Sequence, residues 1–268
     1  MEDLQGRVAI ITGGASGIGL AMAQRFAAEG MNIVLGDIEQ GALDAAVAGL
    51  RASGASAVGA LVDVSDPVQM TTLADAARDE FGGWHVVCLN AGVGSGGLTW
   101  EVDRASWKWV LDVNMWGIIN GIEVFVPELV QQKVGHVVIT ASLAGLVYGP
   151  GMAPYNASKA AAVAIGETMA TELAAEAPEV GVSILCPAWV NTKIYDSARN
   201  RPGGRRDTSE LNEADRAEAA AFFEGSMPTS EVADAVADAV RTRRLHILTH
   251  DFSEEALRGR LARVLGEA

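Results

Sequence analysis

Seven short runs of apolar, β-favouring residues recur along this chain, and a helical pattern separates most neighbouring pairs. The runs cover 8–11, 32–36, 57–61, 85–89, 136–140, 182–186 and 245–248. Helical patterns fill 18–29, 39–52, 67–81, 104–131, 156–176 and 230–243. Most runs are continuously apolar instead of alternating, as strands covered on both faces are. This strand–helix rhythm predicts an α/β fold: a doubly wound parallel sheet of about seven strands flanked by helices. No linker interrupts it, so the spacing predicts one domain over 1–268. Residues 193–228 depart from it, being polar, charged and only partly helical. A segment that long between strand and helix is expected to be a lid over a substrate site.

Residues 11–19 read ITGGASGIG, directly after the first strand run and opening the first helix. Glycines at 13, 17 and 19 let the backbone turn sharply and approach a pyrophosphate. The helix start adds free N–H groups and partial positive charge. The next strand run is followed by Asp37, whose carboxylate suits the hydroxyls of an adenosine ribose and repels a 2′-phosphate. No Arg or Lys occupies 13–19 or 36–40. The residues therefore predict NAD in preference to NADP, although an aspartate here also fits a helix cap.

The charge balance agrees with a small ligand. Twenty basic against 34 acidic residues leave −14, which repels nucleic acid. Backbone amides can still hold a compact anionic cofactor. Cys88 and Cys186 lie in apolar runs and read as buried free thiols. The Cys and His spacing predicts no metal site. His85, His136, His246 and His250 read as strand-edge or loop residues. The acidic N-terminus carries no long apolar run, and Gly, Pro, His and Asn break the uncharged stretch 134–158. No membrane association and a cytoplasmic location are expected.

Tyr155 and Lys159, in YNASK, are four residues apart and open an alanine-rich helical run, which places them on one helical face. A phenol is a poor base at neutral pH. A nearby ammonium favours its ionised form and would make it a usable acid/base for a carbonyl/alcohol couple. Ser142 follows the strand run HVVIT, at the strand end where open α/β sheets bind ligands. Taken singly, YxxxK also fits a helix-surface pair, and Ser142 also fits a turn.

Together these motifs resemble the short-chain dehydrogenase/reductase family, most strongly over 6–192. Its TGxxxGIG pattern appears as Thr12–Gly19, including Ser16 and Ile18. The acidic adenine contact after the third strand appears as Asp63-Val64, and the NAG motif as Asn90-Ala91-Gly92. The family's helix asparagine matches Asn114. The resemblance implies that Tyr155 exchanges a proton with the substrate oxygen and that Ser142 orients that oxygen. It implies that Lys159 binds the nicotinamide ribose and depresses the tyrosine pKa. Asn114, through its main chain, would hold a relay water. Where the family usually has Pro-Gly, this chain has Pro187-Ala188, with Trp189 next. Val190 and Thr192 still match contacts to the carboxamide end of nicotinamide.

The fold implied by the resemblance bounds the substrate pocket by Val93, Leu143, Val147, Tyr148, Met152, Trp189, Ile194 and Tyr195. This mostly apolar set suits a hydrophobic alcohol or ketone. The segments NMWG and ILTHDF are similar to those of members acting on bulky aryl or alicyclic alcohols. Trp116 is expected to pack within its helix. Arg199, Arg201, Arg205 and Arg206 are expected to be solvated charges facing Asp207, Glu210 and Glu213, with a contact to a substrate anion as the alternative. Family members pair the helices over 104–131 and 156–176, so a homo-oligomer is expected, a dimer or a tetramer. The leading reading is an NAD-dependent secondary-alcohol dehydrogenase. An NADP-dependent ketone reductase and a catalytically silent dinucleotide-binding protein are the alternatives.

Overall fold

A computed structural model describes residues 1, 3–204 and 213–267, with the backbone alone at residue 213. Seven parallel strands form one sheet in the order β3-β2-β1-β4-β5-β6-β7. They are β1 (Val8–Thr12), β2 (Asn32–Asp37), β3 (Ala57–Leu61), β4 (Val86–Leu89), β5 (Gly135–Thr140), β6 (Val180–Cys186) and β7 (His246–Leu248). The continuously apolar runs have the expected cause. Every residue of β1, β4, β5 and β6 is buried, because helices cover both faces.

The flanking helices are α1 (Gly17–Ala28), α2 (Gln40–Ala52), α3 (Pro67–Phe81), α4 (Arg104–Leu111), α5 (Gly117–Gln132), α6 (Ala153–Glu176), α7 (Glu213–Glu224), α8 (Thr229–Thr242) and α9 (Phe252–Leu265). Local chemistry sets several boundaries. Asp66 caps α3 by accepting from Val68 N at 2.9 Å, with Pro67 in the first turn and Gly82 left-handed at the end. Asp103 caps α4 by accepting from Ser106 N at 2.8 Å. The helical pattern over 104–131 is continuous but not uniform: a π-helical turn, Asp112–Trp116, joins α4 to α5. The run Arg104–Gln132 is long and apolar enough by length and composition to cross a membrane. Here Phe125 and Leu129 are fully buried in the core beneath the sheet.

All strands run the same way, but the order in which the chain adds them reverses between β1, which pairs with β2 on one side, and β4, which pairs with it on the other. The carboxyl ends of these strands therefore open a crevice, the usual ligand position in such sheets. Two expectations need correction. His136 lies in β5, near the middle of the sheet, and is fully buried, not at a strand edge or in a loop. Trp116, in the π-helical turn, is half exposed instead of packed, although it does not line the ligand cleft.

Candidate active site

The crevice holds a cleft of about 600 Å³. At one end the β1–α1 turn forms its floor. Thr12 ties this turn to the end of β4: its Oγ1 donates to Cys88 O at 3.3 Å and accepts from Asn90 N at 2.9 Å and Ala91 N at 3.1 Å. The Asn90 amide donates to Thr12 O at 3.0 Å and accepts from Thr140 Oγ1 at 3.0 Å, stitching β1, β4 and β5. Gly13 has φ +61°, and a Cβ there would lie 2.9 Å from Ala91 Cα. A Cβ on Gly19 would lie 2.1 Å from Gly13 O. The turn can close this tightly only without side chains at those positions. Such a cradle, with the α1 amides above it, fits the pyrophosphate of a dinucleotide.

Asp37 ends β2 and lines the same cleft. Its carboxylate accepts from Ala15 N at 2.9 Å and Glu39 N at 3.1 Å, so it is braced by the turn it faces. Two cations absent from the local sequence, Lys193 and Arg199, also line the cleft. Arg199 Nη2 donates to Glu39 Oε1 at 2.8 Å and Asn200 Nδ2 to the same oxygen at 2.7 Å. Burial pushes the Glu39 carboxyl up, but hydrogen bonds from Asn200 and Arg199 and the charges of Arg199 and Lys193 leave it below its ordinary value. Arg199 is therefore paired, not a free solvated charge.

Near the strand ends, Ser142, Tyr155 and Lys159 converge on the cleft wall. Ser142 Oγ donates to Pro187 O at 3.2 Å and accepts from Ala144 N at 3.1 Å. Lys159 is buried, and its Nζ donates to Thr140 O at 2.7 Å. That ammonium lies 5.6 Å from the Tyr155 ring centroid. Burial lowers the Lys159 pKa to about 8. Burial raises the Tyr155 phenol, and hydrogen bonding with the Ser142 side chain pulls it partly back. Desolvation is the larger of these two effects on the phenol.

Asn114 is fully buried behind this group. Its side chain accepts from Val93 N at 2.8 Å and donates to Val93 O at 2.9 Å and Ser158 Oγ at 3.0 Å. It thus joins the segment after β4 to the second turn of the helix carrying Tyr155 and Lys159. The π turn supplies the inward rotation this needs.

Of the residues singled out for a cofactor, Gly13, Ser16, Gly17, Ile18, Asp37, Asp63, Val64, Asn90, Ala91, Gly92, Pro187, Val190 and Thr192 line the cleft, and Gly19 lies beneath it. For the substrate side, Val93 and Ile194 line it. Leu143, Val147, Tyr148, Met152, Trp189 and Tyr195 do not stand on its wall. Tyr148 is half exposed under the Arg260 guanidinium. Trp189 and Tyr195 pack on Phe223, with centroids 6.0 and 5.5 Å away. In their place the wall gains Ala105, Trp109, Arg201 and Phe223. Arg201 is buried, not solvated. Arg205, Arg206, Asp207 and Glu210 lie outside the described residues, as does the Glu213 side chain and part of the expected lid.

Comparison with known proteins agrees with this geometry. The family model described as short chain dehydrogenase matches residues 7–203. The 1-deoxy-11-beta-hydroxypentalenate dehydrogenase of Streptomyces exfoliatus is 39% identical over 209 residues, 77% of this chain and 75% of the relative. The C alpha-dehydrogenase of Sphingobium sp. strain SYK-6 is 32% identical over 260 residues, 96% of this chain and 85% of the relative. A solved short chain dehydrogenase/reductase from Burkholderia phymatum, in complex with NAD, superposes with a TM-score of 0.93 at 41% identity, covering 100% of this chain and 98% of that one. The chain is a member of the short chain dehydrogenase family, an oxidoreductase that binds a nicotinamide dinucleotide and acts on CH–OH groups.

Proposed function

We propose that the protein is an NAD-dependent dehydrogenase interconverting hydrophobic secondary alcohols, bulky aryl or alicyclic ones among them, with their ketones. The observation that carries this reading is the convergence of Ser142, Tyr155 and Lys159 on the cleft that Asp37 and the β1–α1 turn also face. A bound dinucleotide supplies the acceptor or donor of hydride. Tyr155 takes the hydroxyl proton as the alcohol carbon becomes a carbonyl, and returns it in reduction. Ser142 turns its hydroxyl from Pro187 O to the substrate oxygen. Lys159, fixed by Thr140 O, keeps a cation beside the phenol and favours its ionised form. Asn114 positions the helix that carries both.

The preference for NAD rests on Asp37, a carboxylate that a 2′-phosphate would meet as a like charge. Such a juxtaposition costs several kcal/mol. Arg199, one of the two cations that the fold brings to this cleft, is held by Glu39. The NAD complex of the similar Burkholderia phymatum protein supports the same choice. Asp37→Ser tests it. The ratio of kcat/KM for NADP over NAD is expected to rise at least tenfold, or about 1.4 kcal/mol. An unchanged ratio would remove Asp37 as the determinant.

A further inference from the structure

Two cationic side chains are buried among the described residues, Lys159 and Arg201. Lys159 belongs to the proposed proton-transfer group; Arg201 has no part in it. Arg201 follows the 3₁₀ segment Ile194–Asn200 and is 6% exposed. Its recorded hydrogen bonds all fall on one nitrogen. Nη2 donates to Ser106 Oγ at 2.7 Å and faces Asp103 Oδ1 at 3.4 Å. The guanidinium carbon lies 5.9 Å from the Trp109 ring centroid. Nε and Nη1 donate to none of the described residues. A guanidinium has five N–H donors and cannot shed its proton. Nε and Nη1 are not among the buried side-chain atoms that lack a partner, so they keep contact with solvent and stay open to a ligand.

The location points to what completes it. Arg201 lines the cleft, as do Trp109 and Val93. Trp109 packs in one apolar cluster with Val93, the residue Asn114 holds from behind. These open donors therefore stand beside Trp109 and Val93 in the cleft that Tyr155 also lines. Asp103 does not complete the pair: its distance is long, and its side chain is 39% exposed. Lys108, also on the wall, is committed to Asp112 at 2.5 Å. One cation, partly offset by a nearby acid in a chain of net charge −14, matches a monoanion better than a phosphate dianion.

We propose that Arg201 anchors a carboxylate of the substrate, so that the substrate is a hydroxy or keto acid whose apolar body lies along Trp109 and Val93. This rests on the alcohol/ketone reading above. The test uses 4-(1-hydroxyethyl)benzoate and its methyl ester as substrates. It uses 4-acetylbenzoate and its methyl ester as ligands of the NADH-bound protein, titrated by calorimetry. The acid is expected to bind at least tenfold more tightly than the ester, and kcat/KM to favour the acid similarly through KM. Arg201→Met should bring both ratios near one, and Arg201→Lys should keep part of the preference. An ester bound as tightly as the acid by the unaltered protein overturns the anchor, and needs no variant to fold. A ratio that survives Arg201→Met overturns it too. A preference in binding with no turnover of either compound would leave the anchor standing and count against the alcohol/ketone reading.

Discussion

Tyr155→Phe is expected to lower kcat for alcohol oxidation by roughly 10²–10⁴-fold, the range a positioned acid/base contributes, while NADH affinity stays nearly unchanged. The substitution removes one oxygen from the cleft wall. It leaves the ring, the Lys159 anchor on Thr140 O and the Asn114 bridge in place. The loss should fall on kcat, because the proton moves in the transition state and not on binding. Burial holds the Tyr155 phenol above its ordinary value in the chain alone, so its ionised form grows as pH rises. Alcohol oxidation is therefore expected to climb toward alkaline pH, and ketone reduction to be favoured at neutral pH. Stopped-flow rates and fluorescence titration with NADH separate the two effects. A variant with full activity would show that the proton leaves by another group.

The second large effect concerns stability in acid, and it comes from His136. Ser183 Oγ donates its only hydrogen to Arg244 O at 2.6 Å. The 2.8 Å contact between His136 Nε2 and Ser183 Oγ must then be donated by the imidazole. That fixes the tautomer and leaves Nδ1 as a bare, buried acceptor with no hydrogen-bond partner. Gly181 lies opposite in β6, so close that a Cβ there would sit 2.3 Å from Nδ1. A second proton would enter with nothing to receive it. Burial, helped by the positive N-terminus and Arg243, lowers the His136 pKa from 6.5 to about 3.

Above pH 6.5 the ring is neutral in both folded and unfolded chains and contributes no pH dependence. Below it, the unfolded chain binds the proton and the folded chain does not, so stability falls with pH. The slope reaches about 1.4 kcal/mol per pH unit, on the order of 2 kcal/mol by pH 5. His136→Met should flatten that limb; His85, which burial also lowers, retains a smaller share. Urea unfolding of both proteins between pH 7 and pH 5 measures the difference. Equal slopes would mean that the ring is protonated in the fold.

Much of this architecture is legible in the residues. The strands follow from apolar runs that burial on both faces requires. The glycine turn is readable because Gly13 and Gly19 are sites where no side chain fits. Sheet order is not periodic information, which is why His136 reads as an edge residue while lying between β4 and β6. The π turn at Asp112–Trp116 also escapes. One extra residue in a turn changes which way Asn114 and Trp116 face without changing composition. Contacts that span the chain escape for a related reason. Arg199 meets Glu39 from 160 positions away, and Arg201 reaches Ser106 from 95. No local pattern separates such pairs from solvated charge. On the substrate side, Trp189 and Tyr195 pack against Phe222 and Phe223 of α7, and Phe223 takes the place on the cleft wall. That helix lies in a stretch too polar to be marked as a packing partner.

The most direct test of the function is NADH formation at alkaline pH by the unaltered protein. NAD and NADP should be compared over secondary alcohols running from small aliphatic to aryl and alicyclic. Turnover with NAD, rising with the apolar bulk of the alcohol, is the expected result. Turnover confined to NADP, or NADH binding with no turnover on any alcohol, would contradict it.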